Sequence, residues 1–226
     1  MLINDSQPYR PIMNQKKQIV ITGTGRTGTT FLVELLTHLG LDTGFETEDI
    51  NHFKSDLSNA GLEYRIGSEN CPYIAKDPWF CDYAEEVIQR KDIILEHVYI
   101  PVRDLNSAAE SRRYVTKKGY SELSYIEKFK HLFNPKDFPG GLWHTKSTGN
   151  GKQEEVLLNQ LYKVIYQLSG GSTDVTLMQY PKITRDPKYL YKKLESILKD
   201  IQFDMFQATF HEVVQPDIVH QFHKDD

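Results

Sequence analysis

Residues 18–40 read QIVITGTGRTGTTFLVELLTHLG: a short apolar run, a glycine-rich turn and a helical pattern that stops at Gly40. A strand that passes through such a turn into a helix is the building unit of parallel α/β sheets. Along the rest of the chain, short apolar runs alternate with longer helical patterns in the same way. The sequence therefore predicts an α/β fold, in which a parallel central sheet is flanked by helices.

The other elements follow from hydrophobic periodicity and from the residues that start and stop helices. Asp77, Asp104 and Asp186 stand where an N-cap is needed, and proline follows two of them at the favoured first helical position. Strands are predicted at residues 18–22, 41–45 (weakly), 72–75, 97–102 and 175–179. Helices are predicted from the glycine-rich turn to Gly40, over residues 77–90, 104–119 and 152–168, and from residue 186 onward.

Composition narrows the class of protein. The 226 residues carry a net charge of -4, which argues against general binding to nucleic acid or anionic membranes. The two cysteines, Cys71 and Cys81, form neither a zinc-type spacing nor a disulfide framework, so a reducing compartment is expected. No apolar run is long enough for a membrane span, and the polar start of the chain is unlike a signal peptide. We expect a cytoplasmic protein without a membrane span.

The length suits one domain with a sizeable core. We expect a flexible tail over residues 1–17 and a single domain over residues 18–226. Residues 134–151, NPKDFPGGLWHTKSTGNG, are rich in proline and glycine and too long for a simple connection. This stretch is interpreted either as a flap or as a plain surface excursion.

The glycine-rich turn has the composition of an anion-binding loop. Gly23, Gly25 and Gly28 allow backbone angles and close approaches that side chains would block. Backbone N–H groups and the positive end of the following helix can then face an anion. Thr29 and Thr30 add hydroxyl donors. The alternative is a turn that merely joins the strand to the helix.

The turn departs from the Walker pattern G-x-x-x-x-G-K-[ST] at one place. Gly23 and Gly28 have the separation of that pattern, but Thr29 occupies the position of its lysine. Without that lysine, ordinary ATP or GTP chemistry is disfavoured. Arg26 lies two residues before Gly28, and its planar, permanently charged guanidinium suits a tetrahedral oxyanion.

A second candidate anchor lies in the stretch VYIPVRDLNSAAESRRY, residues 98–114. Its strand delivers Arg103 to the carboxyl end, where open α/β sheets bind ligands, and Asp104 then opens a helix. Ser111 follows eight residues after Arg103, about two helical turns on. Taken alone, Arg103 also suits a surface salt bridge, and Ser111 suits a small packing position.

The two anchors together resemble the sulfotransferase family. The shared features are a loop of the form G-x-x-R-[ST]-G-[ST]-[ST] and, later, a strand that ends in arginine with serine eight residues on. The stretch PYIAKDP resembles the family's strand that carries Lys or Asp near the acceptor, and TLMQYPKITRDPKYL resembles its later strand and helix. Arginine in the loop, in place of lysine, is nearer to the carbohydrate and bacterial branch than to the cytosolic small-molecule branch.

The resemblance implies a P-loop NTPase-like architecture and an enzyme that uses 3′-phosphoadenosine 5′-phosphosulfate (PAPS). Such an enzyme transfers the sulfuryl group to a hydroxyl of a small-molecule or glycan acceptor and releases 3′-phosphoadenosine 5′-phosphate (PAP), with no metal ion. The resemblance assigns Arg103 and Ser111 to the 3′-phosphate. It assigns the first loop to the 5′-phosphosulfate, through Gly25, Arg26, Thr27, Gly28, Thr29 and Thr30.

The residues that act on the acceptor are less clear from the sequence. A base should take the proton of the acceptor hydroxyl, and carboxylates serve this purpose in the related branch. Glu46 is the first candidate and Glu48 the second, although an acidic first turn of a helix explains both equally well. Lys76 is a candidate contact to the transferring group or a solvated lysine. Asp77 is a weaker catalytic candidate, because an N-cap already explains it.

Other functions stay open at this point. A P-loop kinase with a displaced basic residue predicts ATP binding that depends on Mg²⁺, and a non-catalytic nucleotide-binding or scaffold protein predicts binding without transfer. Three histidines lie near the end of the chain: His211, His220 and His223. They have no carboxylate partners in a metal-site pattern, so we interpret them as solvated residues. A homodimer is a further expectation.

Overall fold

A computed structural model describes residues 15–54, 60–122 and 152–214 of the protein. Within these ranges the chain forms a four-stranded sheet in which all neighbouring strands are parallel, with the order β2-β1-β3-β4. The predicted parallel α/β architecture is therefore confirmed. The strands are β1 (Lys16–Ile21), β2 (Ile74–Lys76), β3 (Ile93–Val102) and β4 (Asp174–Gln179).

Helices cover both faces of the sheet in the described part of the chain. Short 3-10 turns lie at Ile50–Phe53, Phe80–Asp82 and Lys182–Thr184. The α-helices are α1 (Thr29–His38), α2 (Ala84–Gln89), α3 (Leu105–Glu122), α4 (Lys152–Ser169), α5 (Pro187–Lys193) and α6 (Phe203–Val213).

Alternation along β1 separates two apolar layers, since successive side chains of a strand point to opposite faces. Ile19 and Ile21 pack with α1, α5 and α6 on one face, where Phe206 is fully buried. Val20 lies on the other face with α2 and with Val164 of α4. The helix α3 packs against α4 where Ala108 and Ala109 meet Leu157. The sheet is thus the middle of three layers.

Two predicted N-caps are confirmed by their hydrogen bonds. Asp104 precedes α3, and its Oδ1 accepts from the backbone N–H of Ser107 at 2.8 Å. Asp186 precedes α5, and its Oδ1 accepts from the backbone N–H of Tyr189 at 2.9 Å. Each aspartate satisfies an N–H group that has no partner within its own helix.

The weak strand predicted at residues 41–45 is wrong. This segment runs beside β2 but does not form a ladder with it. The carbonyl of Asp42 accepts from Ile74 N–H at 2.9 Å, and its side chain accepts from Tyr73 N–H at 3.1 Å. At Gly44 the backbone turns to a φ of 75°, which ends any extended run.

The helix predicted over residues 77–90 is wrong in its first half. Asp77 caps only a short turn, because its Oδ1 accepts from Trp79 N–H at 2.8 Å and its Oδ2 accepts from the hydroxyl of Tyr83. A 3-10 turn follows, and Tyr83 has a φ of -140°, outside the helical range. Regular α-helix begins only at Ala84.

Several predictions concern residues outside the described ranges, among them the possible flap at residues 134–151, which is rich in proline and glycine, and the histidines His220 and His223. Over the described ranges, no helix is both long enough and apolar enough to cross a membrane. In the same part of the chain, no group of three or more His, Cys, Asp or Glu side chains is placed to hold a metal ion.

Candidate functional site

The candidate site lies at the carboxyl end of the sheet, between β1 and β3. From β1 the chain passes through α1 to β2 at one edge, whereas β3 lies on the opposite side of β1. The helix α1 covers one face of the sheet, and α3 packs on α4, which covers the other. The segments that follow β1 and β3 therefore lead to helices on opposite faces of the sheet. Open α/β sheets bind ligands in the crevice that such a divergence creates.

The loop after β1 contains four residues with a positive φ, the first of which is Gly23 at 154°. The other three lie in the left-handed region, with φ angles of 68° at Gly25, 61° at Arg26 and 84° at Gly28. Arg26 is unusual, because a residue with a side chain pays about 1–2 kcal/mol for this conformation. Gly28 is the N-cap of α1, and among the described residues no side chain caps this turn. The positive end of α1 is thus available to an anion.

The loop is held closely by the segment that follows β4. A Cβ atom at Gly28 would lie 3.0 Å from the ring of Tyr180 and 3.2 Å from Cδ1 of Ile183. A glycine is therefore required here both for its backbone angle and for space. Tyr180 is itself tied to the sheet, since its N–H donates to Val102 O at 2.7 Å.

Gly28→Ala should therefore cost more stability than a substitution that only strains the backbone. We expect Gly40→Ala, at a φ of 76° with open space around it, to cost about 1–2 kcal/mol. Gly28→Ala should lose about 1–3 kcal/mol more, because the added methyl meets Tyr180 and Ile183. Chemical denaturation of both variants measures the difference. Equal losses would contradict the close packing of Tyr180 on the loop.

The two anchors predicted from distant parts of the sequence are in direct contact. Nε of Arg26 donates to Oγ of Ser111 at 3.3 Å, and Nη1 of Arg103 donates to the carbonyl oxygen of Arg26 at 3.2 Å. The guanidinium of Arg103 also lies over the ring of Tyr180, 5.0 Å from its centroid. The loop, the end of β3 and the first turns of α3 thus form a single cluster.

This cluster concentrates positive charge in a region that is partly buried from solvent. Burial lowers the pKa of Arg26, and repulsion from Arg103 lowers it further. Burial also lowers the pKa of Arg103. Arg112, next to Ser111 on α3, is 6% exposed, and burial lowers its pKa to about 10. Guanidinium groups stay protonated near neutral pH, so an anion that enters this cluster would relieve the repulsion between Arg26 and Arg103.

The predicted threonines differ in what they present. Thr27 is fully buried, and its hydroxyl has no hydrogen-bond partner among the described residues. Thr27 therefore presents no exposed surface to an external ligand in this structure. Thr29 is also buried, whereas the hydroxyl oxygen of Thr30 accepts from Lys76 Nζ at 3.0 Å.

Lys76 reaches the loop from the end of β2 but is enclosed there, with 2% of its surface exposed. Its ammonium contacts Oγ1 of Thr30, the carbonyl oxygen of Gly61 at 2.5 Å and Oε1 of Glu63 at 2.9 Å. Burial lowers the pKa of Lys76, and the charge of Glu63 opposes this effect. The ammonium therefore acts on the site through Thr30 in this arrangement.

Asp77, the next residue, is buried and serves the local structure. Both carboxylate oxygens accept hydrogen bonds, one from Trp79 N–H and one from the hydroxyl of Tyr83. Burial raises the pKa of Asp77, and these hydrogen bonds act in the opposite direction. The carbonyl of the same residue accepts from Oγ1 of Thr22 at 2.7 Å, which ties β1 to β2 at the carboxyl edge.

The candidate bases Glu46 and Glu48 are exposed on the segment after α1. Glu48 accepts from the hydroxyl of Thr47 at 3.1 Å. Neither carboxylate forms a hydrogen bond or ion pair with the loop within the described part of the chain. The structure brings Arg26, Arg103 and Ser111 together, but it does not bring these two glutamates to them.

Three residues of this region were not predicted as site residues. Tyr180 follows the carboxyl end of β4, and that position was a signal that could have identified it. Arg112 adjoins the predicted Ser111 on α3, but its burial was not evident from the sequence. Glu63 lies in an irregular segment that carries no motif, and only its ion pair with Lys76 places it near the loop.

Comparisons with known proteins add no family to this picture. No protein-family model matches the chain, and no curated protein sequence matches it at a significant level.

Proposed function

We propose that the protein is a PAPS-dependent sulfotransferase that transfers the sulfuryl group of PAPS to a hydroxyl of an acceptor. The observation that carries the proposal is the contact between the two anchors, in which Arg26 meets Ser111 and Arg103 meets the backbone of Arg26. An enzyme for PAPS must hold a phosphosulfate and a separate 3′-phosphate. Two adjoining cationic segments, one at a helix N-terminus, suit a ligand with two anionic groups.

The position of the positive charges supports a phosphosulfate rather than a triphosphate. The loop lacks the lysine with which nucleoside triphosphate enzymes hold the β- and γ-phosphates. Lys76, which contacts Thr30 at the start of α1, is engaged by Glu63 and Gly61 as well. Arg26 instead supplies a planar donor at the loop itself.

The proposed reaction requires little covalent chemistry from the protein. The acceptor oxygen forms a bond to sulfur as the bond between sulfur and the 5′-phosphate oxygen breaks, and PAP leaves as the product. The protein's task is to align the two oxygens and to stabilise charge on the group between them. Arg26 and the N–H groups at the start of α1 are the proposed donors for that charge.

The acceptor is proposed to be a sugar, a lipid or another metabolite with a free hydroxyl. A carboxylate base takes its proton, and Glu46 and Glu48 remain the proposed candidates among residues of the segment after α1. For either carboxylate to act as this base, the hydroxyl of the acceptor has to lie between that segment and the loop. The rates of sulfuryl transfer by Glu46→Gln and by Glu48→Gln compare the two candidates directly.

Transfer of labelled sulfate from PAPS to a panel of hydroxyl acceptors tests the proposed activity. We expect transfer to at least one acceptor without added metal ion, and a chelator should leave the rate unchanged. Tight binding of PAP without transfer to any acceptor would favour a non-catalytic nucleotide-binding protein. Phosphate transfer from ATP with Mg²⁺ would favour the kinase alternative.

A further inference from the structure

Glu63 is joined to the anion site through a short series of contacts that begins outside it. Its Oε1 lies 2.9 Å from Nζ of Lys76, and Nζ of Lys76 lies 3.0 Å from Oγ1 of Thr30. Thr30 is the second residue of α1, within the turn whose N–H groups no described side chain caps. The series therefore ends at the positive end of the helix that faces the crevice.

The geometry fixes what the hydroxyl of Thr30 can do. A hydroxyl has one proton to donate and an oxygen that accepts, and Lys76 donates to that oxygen. The proton of Thr30 is therefore directed to an acceptor other than Lys76. Since Lys76 is 2% exposed, its ammonium is held in one place rather than exchanging among water molecules.

The segment that carries Glu63 is itself fixed against the sheet and α1. Tyr64 N–H donates to the carbonyl of Lys76 at 3.0 Å, and Gly61 pairs with Lys54 in an antiparallel bridge. Lys54 in turn binds Glu34 of α1 at 2.7 Å, and both side chains are largely buried. A second lysine–glutamate pair thus lies near the first but does not contact Lys76.

We propose that Glu63 is a positioning residue, which holds the ammonium of Lys76 against Thr30 so that the Thr30 hydroxyl donates to the bound anion. Glu63 supplies the countercharge that a buried ammonium requires. Its charge also raises the pKa of Lys76 against the effect of burial, which keeps the lysine protonated. The role in ligand binding rests on the proposed function, whereas the effect on Lys76 does not.

The first experiment needs no ligand. Heteronuclear NMR of the lysine side-chain nitrogens follows the titration of Lys76, whose signal is identified by its loss in Lys76→Met. Glu63→Gln should lower the pKa of Lys76, and Glu63→Asp, which keeps the charge, should restore most of it. Glu34→Gln is the matched control, because it removes a neighbouring countercharge that does not touch Lys76. An unchanged pKa in Glu63→Gln would overturn the inference.

The second experiment measures PAP affinity by calorimetry in variants whose folding is checked by circular dichroism. Glu63→Gln and Thr30→Val should each weaken binding by about tenfold, and Glu34→Gln by less than about twofold. The double variant should lose little more than either single one, because both act through the same hydrogen bond. Fully additive losses of PAP affinity would refute the proposal that Glu63 acts on the bound anion through Thr30. If the wild-type chain binds no PAP, the proposed function fails, and the titration of Lys76 alone decides the role of Glu63.

Discussion

Arg26→Ala is expected to lower the rate of sulfuryl transfer by about 100- to 1000-fold, the usual cost of removing one donor to a developing charge. PAP binding should survive in part, because the N–H groups of the loop and Arg103 remain. Labelled sulfate transfer and calorimetric binding of PAP, measured on the same preparation, separate the two effects. An equal loss of transfer and of PAP affinity would show that Arg26 holds the nucleotide rather than the transferring group.

Arg113→Ala is the control for that comparison. Arg113 also lies on α3 near Ser111, but its guanidinium is engaged by Glu110 and Glu154 at 2.6 Å and 2.5 Å. Its loss should lower stability through the packing of α3 on α4 while transfer by the folded protein stays near the wild-type rate. A comparable loss of transfer in both variants would point to a general effect of positive charge.

Arg103→Ala is expected to weaken PAP binding by about 30- to 1000-fold, equivalent to about 2–4 kcal/mol. The guanidinium that is removed lies at the end of β3, over Tyr180 and against the carbonyl of Arg26. Its loss removes a charged donor from the proposed 3′-phosphate site and also a support of the loop. Calorimetry with PAP measures the effect.

Comparison of PAP with adenosine 5′-phosphate sharpens that test. If Arg103 binds the 3′-phosphate, the wild-type chain should prefer PAP, and Arg103→Ala should bind both ligands with similar affinity. A variant that keeps the full preference for PAP would contradict the assignment of Arg103, whatever its effect on overall affinity.

Most of the fold could be predicted because its signals are local. The run before the glycine-rich turn, the glycine that ends α1, and the N-caps Asp104 and Asp186 each act on residues within one or two helical turns. The errors arise where tertiary contacts override local pattern. Residues 41–45 are predicted as a weak strand, but Asp42 binds Ile74 of β2 with its carbonyl and the preceding Tyr73 with its side chain, instead of forming a ladder.

The site could be predicted in part for a similar reason. Arg26 and Arg103 stand at the carboxyl ends of strands, and topology alone brings such positions together. The partners of Lys76 could not be predicted, because Glu63 reaches it from an irregular segment that is fixed by the bridge between Lys54 and Gly61. Burial of Thr27 and Arg112 likewise depends on packing between elements distant in sequence.

Thermal unfolding with PAP, with ATP, and with ATP plus Mg²⁺ in parallel is the most direct test of the proposed ligand. At about 100 times its dissociation constant, PAP should raise the melting temperature by about 5–10 °C without metal ion, and Arg103→Ala should reduce the shift at that concentration to about a third or less. A shift with ATP and Mg²⁺ alone, and none with PAP, would contradict a PAPS-dependent function.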